Sequence, residues 1–364
     1  MTDLFTTIDR IRPLDREAMK MAATRQGILT KPPVALGRLE AISIQLAGIT
    51  GNPLPSMARK VIGVMAGDHG VVEEGVSAYP PEVTPQMVLN FQRGGAAINV
   101  LGRHVGARVV VTDVGVAADL SGVDGIRHRK VRAGTQNIAR GPAMTREEAI
   151  RAFEVGIELV EEERENGLNL IATGDMGIAN TTPSSAIVAV LTGVSPATVT
   201  GRGTGISDQA LEIKIRVIEQ AIALNQPDRT DAVDVMAKVG GLEIAALAGI
   251  ILGAAAHRVP VVIDGFISGA AAITAARLCP RAVDYMLPSH LSVEIGHQVV
   301  MADLGLKPMF DLEMRLGEGT GAAIAMSIID AAAKILCEMA TFESAGVDSG
   351  AGETLAKVAD GKDK

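Results

Sequence analysis

Four short apolar segments are each followed by an aspartate with a glycine close by. Of all features of the sequence, this repeated pattern most restricts the possible folds. The segments are residues 61–70, 108–115, 168–177 and 259–265, with helical patterns between them. Continuous apolar strands that alternate with helices are typical of a parallel sheet covered on both faces. The pattern therefore predicts an α/β fold, with a parallel sheet and helices on both of its faces.

The aspartates of this pattern fall where the predicted strands end. They are Asp68, Asp113, Asp175 and Asp264. A single aspartate in such a place is most often a loop or capping residue. In parallel sheets, however, ligands bind beyond the carboxyl ends of the strands, and four acids at one edge together predict a site.

Helix signals divide the rest of the chain. Thr145 and Glu148 form a capping box that predicts a helix through Glu165. Further helical patterns cover residues 14–25, 34–46, 207–224, 242–256 and 322–339. We expect a small helical domain in residues 1–56, a large α/β domain in 57–311, a loop and helix in 312–347, and a loose tail in 348–364.

Composition excludes several classes of partner. The net charge of the 364 residues is −8, whereas nucleic acid or an anionic membrane would require a basic face. Only Cys279 and Cys337 are present, which fits a reducing compartment. The longest apolar run, residues 244–256, is shorter than the ~20 residues of a membrane helix, and the acidic N-terminus does not resemble a signal peptide. We expect a cytoplasmic protein that binds neither nucleic acid nor membrane.

A carboxylate between glycines distinguishes residues 312–325. Glu318 lies between Gly317 and Gly319, and Gly321 precedes a buried helical pattern. Glycine permits φ values closed to other residues and a close approach of the backbone to a ligand. This arrangement presents Glu318 at a helix N-terminus, where it either complements the helix dipole or acts on a ligand.

Two turns carry groups that bind phosphate or ribose. Residues 175–183, D-M-G-I-A-N-T-T-P, supply backbone amides, an amide side chain and two hydroxyls. Residues 200–207 form a glycine-rich turn before the helix of Lys214. The alternatives are a Thr-capped turn and a solvated lysine. Residues 75–86, with three prolines, predict a stiff loop that either walls a flat ligand or lies on the surface.

No convincing metal or dinucleotide motif is found. Residues 287–297 place His290, Glu294 and His297 on one predicted helical face, but their spacing matches no zinc signature, so helix pairing and capping are the favoured roles. The chain has no P-loop. Gly317, Gly319 and Ala322 satisfy G-x-G-x-x-A, yet no acid follows at the expected strand end about 20 positions later.

Several motifs together closely resemble the nicotinate-nucleotide:dimethylbenzimidazole phosphoribosyltransferases, in order from about residue 14 to 347. The motifs are T-K-P-P-V-A-L-G-R-L-E (30–40), G-D-H-G-V (67–71), G-V-S-A-Y-P-P-E-V-T (75–84), G-D-M-G-I-A-N-T-T (174–182), G-R-G-T-G (201–205), G-G-L-E-I-A-A (240–246) and R-L-G-E-G-T-G-A (315–322). The resemblance implies transfer of a phosphoribosyl group from nicotinate mononucleotide to 5,6-dimethylbenzimidazole. It also implies a homodimer without cofactor or metal, a Rossmann-like sheet, and a small helical domain built from the N- and C-terminal segments.

The same resemblance assigns roles to individual residues. Glu318 falls at the family's general base. The residues that contact the benzimidazole fall on Ser77, Gln86 and Leu316. The residues that bind the phosphoribosyl group correspond to Gly177, Asn180, Thr181, Thr182, Gly203, Lys214 and Ser292.

The chain departs from the expected pattern at three places. Asp175, an acid beside the proposed ribose site and a candidate substrate contact, stands where we expect Glu. Ala179 stands where we expect Gly, and Val34–Ala35 where we expect Gly-Ser.

The chemistry agrees with this assignment. The leaving group of nicotinate mononucleotide is a pyridinium that departs neutral, so no pyrophosphate calls for a divalent ion, and we expect activity without added metal. The alternatives are a nucleotide or sugar-phosphate binding module without catalysis and a nicotinamide-dependent oxidoreductase.

Overall fold

The structure is a computed structural model that describes residues 3–203 and 205–348. Its strands are β1 (Lys60–Gly67), β2 (Ala107–Gly115), β3 (Arg127–His128), β4 (Leu170–Met176), β5 (Val261–Ile263) and β6 (Met286–Pro288). Its helices are α1 (Leu4–Asp9), α2 (Arg16–Ile28), α3 (Arg38–Thr50), α4 (Val83–Gln92), α5 (Ala97–Val105), α6 (Arg146–Glu165), α7 (Thr181–Thr192), α8 (Pro196–Val199), α9 (Asp208–Asn225), α10 (Ala232–Val239), α11 (Leu242–Ala256), α12 (Phe266–Leu278), α13 (Ile295–Leu304), α14 (Thr320–Glu338) and α15 (Phe342–Ala345). Short 3-10 helices cover Gly70–Glu74 and Pro280–Tyr285.

The strands form one parallel sheet in the order β3-β2-β1-β4-β5-β6. Lys60 at the start of β1 pairs with Ala107 of β2 on one side and with Leu170 of β4 on the other. This is the strand order of a doubly wound Rossmann-type sheet, in which ligands lie beyond the carboxyl ends of the strands. The expected parallel α/β fold is confirmed. β3 and β6, of two and three residues, were not predicted because such short strands carry no periodic pattern.

Glycine and alanine make the close helix packing of the core possible. All residues of α11 except its last are buried, and it lies against α6. A Cβ atom on Gly156 of α6 would overlap the carbonyl oxygen of Ala246, and one on Gly249 would overlap that of Phe153. The two helix backbones are therefore closer than larger side chains would allow.

Most predicted helices are found within a few residues of their expected ends. The capping box of Thr145 and Glu148 opens α6, which ends at Glu165 as predicted. The helix expected in residues 34–46 begins only at Arg38, because Val34 and Gly37 have φ angles of 59° and 52°. Such left-handed backbone cannot continue a helix.

The helix expected across residues 287–297 was wrong. The chain leaves β6 at Pro288, His290 bridges to Phe310 in a parallel β-bridge, and α13 begins only at Ile295. His290, Glu294 and His297 therefore do not share one helical face. Their helix-like spacing in the sequence arises from a strand end that is followed by a loop.

The described chain divides into two compact units. The larger comprises Met1–Pro13 with Ala58–Ser327, and the smaller comprises Leu14–Met57 with Ile328–Lys364. The first residues belong to the larger unit because Leu4 is fully buried and the Tyr285 hydroxyl donates to the carbonyl oxygen of Arg12 at 2.8 Å. In the smaller unit a core forms from Ala18, Ala22, Ala47 and Leu336. The division passes through α14, after residue 327.

α14 is long and apolar enough to cross a membrane by length and composition, the one such helix within the described ranges. The share of it buried inside the protein is 56%, and buried core helices of globular proteins meet the same test. This feature is therefore weak as an indication of a membrane span. The expected loose tail lies outside the described residues, apart from Asp348.

Candidate active site

A cavity of about 540 Å³ opens at the carboxyl ends of β4, β5 and β6, within the larger unit. Its lining combines acids, glycines and apolar side chains. The lining residues are Tyr79, Val83, Met87, Asp175, Met176, Gly177, Ile178, Asn180, Thr181, Gly203, Gly265, Phe266, Ile267, His290, Ser292, Glu294, Arg315, Leu316, Gly317 and Glu318. Flat, uncharged ligands suit a lining with so many apolar groups and a few polar ones.

Glu318 stands in a backbone that its glycine neighbours make possible. Gly317, Glu318 and Gly319 have φ angles of 82°, 62° and 88° in succession, which is left-handed conformation throughout. A Cβ atom on Gly174 of β4 would lie 2.6 Å from the carbonyl oxygen of Glu318. The loop can therefore lie directly on the end of β4, because residue 174 has no side chain.

The Glu318 carboxylate is nearly enclosed, with 6% of the residue exposed, and its Oε2 atom has no hydrogen-bond partner within residues 3–203 and 205–348. Burial raises its pKa above the ordinary glutamate value, and a hydrogen bond from the backbone N–H of Ile98 opposes that rise. A carboxylate with a raised pKa and a free oxygen at a pocket wall has the properties of a general base.

Asp264, at the end of β5, fixes this loop. Its Oδ1 accepts the backbone N–H of Ala322 at 2.8 Å and its Oδ2 accepts that of Gly319 at 3.1 Å. Burial raises the pKa of Asp264 to about 7, although these backbone hydrogen bonds work in the opposite direction. Asp264 acts on the ends of the loop and does not line the cavity.

Asp175 is a second buried acid in the cavity wall. Its Oδ2 accepts a hydrogen bond from the Asn180 side chain at 2.9 Å, and its Oδ1 has no partner among the described residues. Burial, with the negative charge of Asp264 next in importance, raises the pKa of Asp175 to about 8. At neutral pH this carboxyl is therefore mostly protonated and is a weaker candidate for a base than Glu318.

A buried cation lies behind the glycine-rich turn. Lys214 is fully buried, and its Nζ donates to Thr181 Oγ1 at 2.7 Å and to the Gly201 carbonyl oxygen at 3.3 Å. Burial lowers its pKa to about 8. Gly203, with a φ angle of 51°, turns the chain beside this lysine. The Arg315 guanidinium donates to the Gly203 carbonyl oxygen at 2.9 Å, so two cations meet this turn.

Most of the predicted site residues meet at the cavity. Asp175, Gly177, Asn180, Thr181, Gly203, Ser292, Leu316 and Glu318 line it. Four do not: Thr182 is fully buried, Lys214 lies behind Thr181, Gln86 is exposed on α4, and Ser77 accepts the backbone N–H of Tyr79 at 3.3 Å. The roles expected for these residues remain predictions.

Besides apolar side chains, three ionisable residues of the cavity lining were not predicted as site residues. Arg315 stands inside the R-L-G-E-G motif, where a cation three residues before the acid was a usable signal. Glu294 was expected to cap a helix, but it makes no side-chain hydrogen bond at the start of α13. His290 was expected to pair along a helix, whereas its ring stacks on His297 and Phe310 with centroids 6.1 Å away in each case.

The four strand-end aspartates do not form one site. Asp68 accepts the N–H of Ala117 at 2.8 Å, and Asp113 accepts that of Val116 at 2.9 Å. Both therefore hold loops, and only Asp175 lines the cavity. The expectation was wrong because Asp68 and Asp113 bind loop N–H groups and Asp264 binds the loop of Glu318, whereas the cavity itself lies over β4, β5 and β6.

A buried ion pair lies beside the cavity floor. His69 Nε2 is 2.7 Å from Glu243 Oε1, and a Cβ atom on Gly177 would lie 3.1 Å from the same His69 nitrogen. Burial alone would lower the pKa of His69, but the negative charge of Glu243 raises it overall. Within the described ranges no group of three or more His, Cys, Asp or Glu side chains could hold a metal ion.

Comparison with known proteins identifies the family to which this chain is similar. The DBI_PRT family model, described as phosphoribosyltransferase, matches residues 11–347. A Chloroflexus aggregans protein named nicotinate-nucleotide:dimethylbenzimidazole phosphoribosyltransferase is 60% identical over 95% of this chain and 98% of its own length. A protein of the same name from Geobacter sulfurreducens is 56% identical over 96% and 99%.

A solved structure agrees. The crystal structure of CobT from Thermus thermophilus matches with a TM-score of 0.88 and 47% identity, covering 92% of this chain and all of the other. The resemblance carried by the sequence motifs is confirmed. With a family match over nearly its whole length and relatives this similar, the chain belongs to the DBI_PRT phosphoribosyltransferase family.

Proposed function

We propose that this protein transfers the phosphoribosyl group of nicotinate mononucleotide to 5,6-dimethylbenzimidazole, giving α-ribazole 5'-phosphate and nicotinate. The observation that carries the proposal is the buried Glu318 carboxylate, with its free oxygen at the wall of a largely apolar cavity. The names of the relatives at 56–60% identity support the same donor and acceptor.

The donor phosphate is assigned to the glycine-rich turn. Lys214 and Arg315 bring two positive charges to Gly203, and Thr181 and Asn180 begin α7 beside it. Backbone N–H groups at a helix N-terminus, together with nearby cations, favour a phosphate. This end of the cavity can therefore hold the donor while its anomeric carbon faces the acceptor.

The acceptor is assigned to the apolar part of the lining. Met87, Val83 and Phe266 offer apolar contacts for a flat bicycle, and Leu316 lies two residues before the proposed base. Glu318 takes the proton from the ring N–H while the other ring nitrogen attacks the anomeric carbon. The bond between the anomeric carbon and the pyridinium nitrogen breaks, and its electron pair leaves with the nitrogen, which becomes the neutral ring nitrogen of nicotinate. Attack from the opposite face inverts the anomeric carbon from β to α.

The direct test is release of nicotinate when the protein is mixed with nicotinate mononucleotide and a benzimidazole. A binding module without catalysis would bind donor but release nothing, and an oxidoreductase would need a nicotinamide cofactor and an electron acceptor. A panel of dimethylbenzimidazole, benzimidazole, a purine and a phenol would give the preferred base. Turnover should survive exhaustive chelation; loss with chelator and recovery with magnesium or zinc would contradict the donor assignment.

A cytoplasmic homodimer is part of the proposal. Large apolar side chains of the cavity region are exposed, among them Tyr79, Leu316, Val293 and Ile295, each about half exposed. Exposed apolar groups close together favour a protein contact surface. Light scattering should give twice the chain mass of 37.7 kDa. A monomer that keeps full turnover would contradict the dimer and leave the reaction untouched.

A further inference from the structure

Glu294 lies in the cavity wall. The proposed function gives it no part, either in proton transfer by Glu318 or in binding of the donor phosphate. Only 8% of the residue is exposed, and its Oε2 has no hydrogen-bond partner among residues 3–203 and 205–348. It stands at the N-cap of α13, yet its side chain caps no N–H group. A buried carboxylate oxygen without a donor is costly, so a ligand group is expected to supply one.

The surroundings of Glu294 show where that group lies. A Cβ atom on Gly201 would overlap Oε2, so the turn leaves room for the carboxylate only because residue 201 is glycine. Burial lowers the pKa of Lys214, and the negative charge of Glu294 opposes that shift. Glu294 therefore lies within electrostatic reach of Lys214, next to the turn assigned to the donor phosphate.

A carboxylate in this place repels a phosphate and attracts a hydroxyl. The pentose of the donor joins the phosphate to the ring, and its 2' and 3' hydroxyls are hydrogen-bond donors. Acidic residues hold ribose hydroxyls in other sheets of this topology. We infer that Glu294 accepts a hydrogen bond from a ribose hydroxyl of the donor and so selects ribosyl over deoxyribosyl donors, an inference that rests on the proposed function.

The test compares three donors: nicotinate mononucleotide and its 2'-deoxy and 3'-deoxy analogues. The wild type should prefer the ribosyl donor over at least one analogue. The expected preference in kcat/KM is roughly ten- to hundredfold, the usual effect of a hydrogen bond to a charged group. In Glu294→Ala that preference, measured as a ratio of kcat/KM, should fall by the same factor. Glu294→Gln keeps a neutral acceptor and should fall in between.

The decisive quantity is the donor preference of the wild type divided by that of Glu294→Ala. Removal of a hydroxyl also changes the intrinsic reactivity of the glycosidic bond, but this change is equal in the two proteins and cancels in the quotient. Lys214→Ala is the matched control and should slow all three donors by one common factor. If Glu294 only tunes Lys214, Glu294→Ala will do likewise, and the inference is overturned; a wild type indifferent to both hydroxyls overturns it too. If no donor reacts with any acceptor, the proposed function itself fails.

Discussion

The Asp264 carboxylate accepts the backbone N–H of Gly319 at 3.1 Å, so a residue at the end of β5 holds the chain immediately after Glu318. Its second oxygen accepts the N–H of Ala322, in the first turn of α14. The position of the proposed base therefore depends on a side chain that never reaches the cavity.

Asp264→Asn tests this dependence. An amide keeps one acceptor but turns an N–H group toward a backbone N–H, so the loop loses a hydrogen bond worth about 1–3 kcal/mol and Glu318 shifts. Because a small misplacement of a catalytic group is costly, kcat should fall on the order of ten- to hundredfold, with little change in donor KM. Asp113→Asn is the control: it removes the ion pair of Asp113 Oδ2 with Lys130, which does not line the cavity, so it should lower stability and leave kcat unchanged. Equal effects on kcat would refute the role of Asp264.

Glu318→Gln should lower kcat by about 100- to 10,000-fold, the usual contribution of a positioned general base, while the protein still folds. Asp175→Asn should cost clearly less, because Asp175 is mostly protonated at neutral pH with a pKa of about 8. Steady-state kinetics of both purified variants gives the comparison. A near-normal kcat in Glu318→Gln, or a larger loss in Asp175→Asn, would assign the base elsewhere.

Lys214→Ala should raise the donor KM about tenfold or more, since a charge-assisted hydrogen bond contributes roughly 1.5–3 kcal/mol. The acceptor KM should move little. Arg216, an exposed cation on the same helix, provides the control, because Arg216→Ala removes one positive charge from α9 without touching the turn. Similar donor KM values for the two variants would mean that Lys214 makes no phosphate contact.

The pKa of Asp175 also predicts a pH dependence of stability. Its pKa is about 8 in the folded protein against an ordinary 3.8, so the folded state binds the extra proton between these values and the contribution of Asp175 to stability is lost as pH rises toward 8. Asp175→Asn removes this dependence. Urea unfolding of both proteins should show the variant gaining on the wild type between pH 5 and pH 8.5; a constant difference would contradict the raised pKa.

Ala179→Gly should raise the free energy of unfolding by about 0.5–1 kcal/mol, because Ala179 has a φ angle of 73° that costs an alanine more than a glycine. The matched control is Ala186→Gly, in the middle of α7, which should lower it by about 1 kcal/mol or more. Denaturant titration gives both values. A loss of stability in Ala179→Gly would show that the left-handed backbone at this position carries no strain.

The sequence predicted what local chemistry decides. The capping box at Thr145, the strand that runs into Asp68 and the glycine-bounded turn at Glu318 all follow from neighbouring residues, although Glu318 itself is buried where a presented carboxylate was expected. The two places where glycine was expected, Val34 and Ala179, both have positive φ, so the pattern was right about the backbone even where the residue differed.

Tertiary contacts decided the rest. That Asp264 holds Gly319 depends on two segments far apart in the chain, and no local pattern reveals it. Glu294 was misjudged because the short strand β6 interrupts what resembled a helix. Gln86 turned outward on α4 while Met87, the next residue, lines the cavity, since one position on a helix changes the direction of a side chain by about a quarter of a turn.

The close contact between Gly174 and the Glu318 carbonyl oxygen implies an unequal mutability of the cavity walls. On the side of the base, the lining is backbone pressed on backbone, and any side chain added at residues 174 or 319 would collide with it or with Ile62. In α4, Val83 and Met87 line the cavity with ordinary side chains that can exchange for others of similar size. Divergence toward new acceptor bases, whether by natural drift or by design, should therefore accumulate in α4 and leave the loop of Glu318 unchanged.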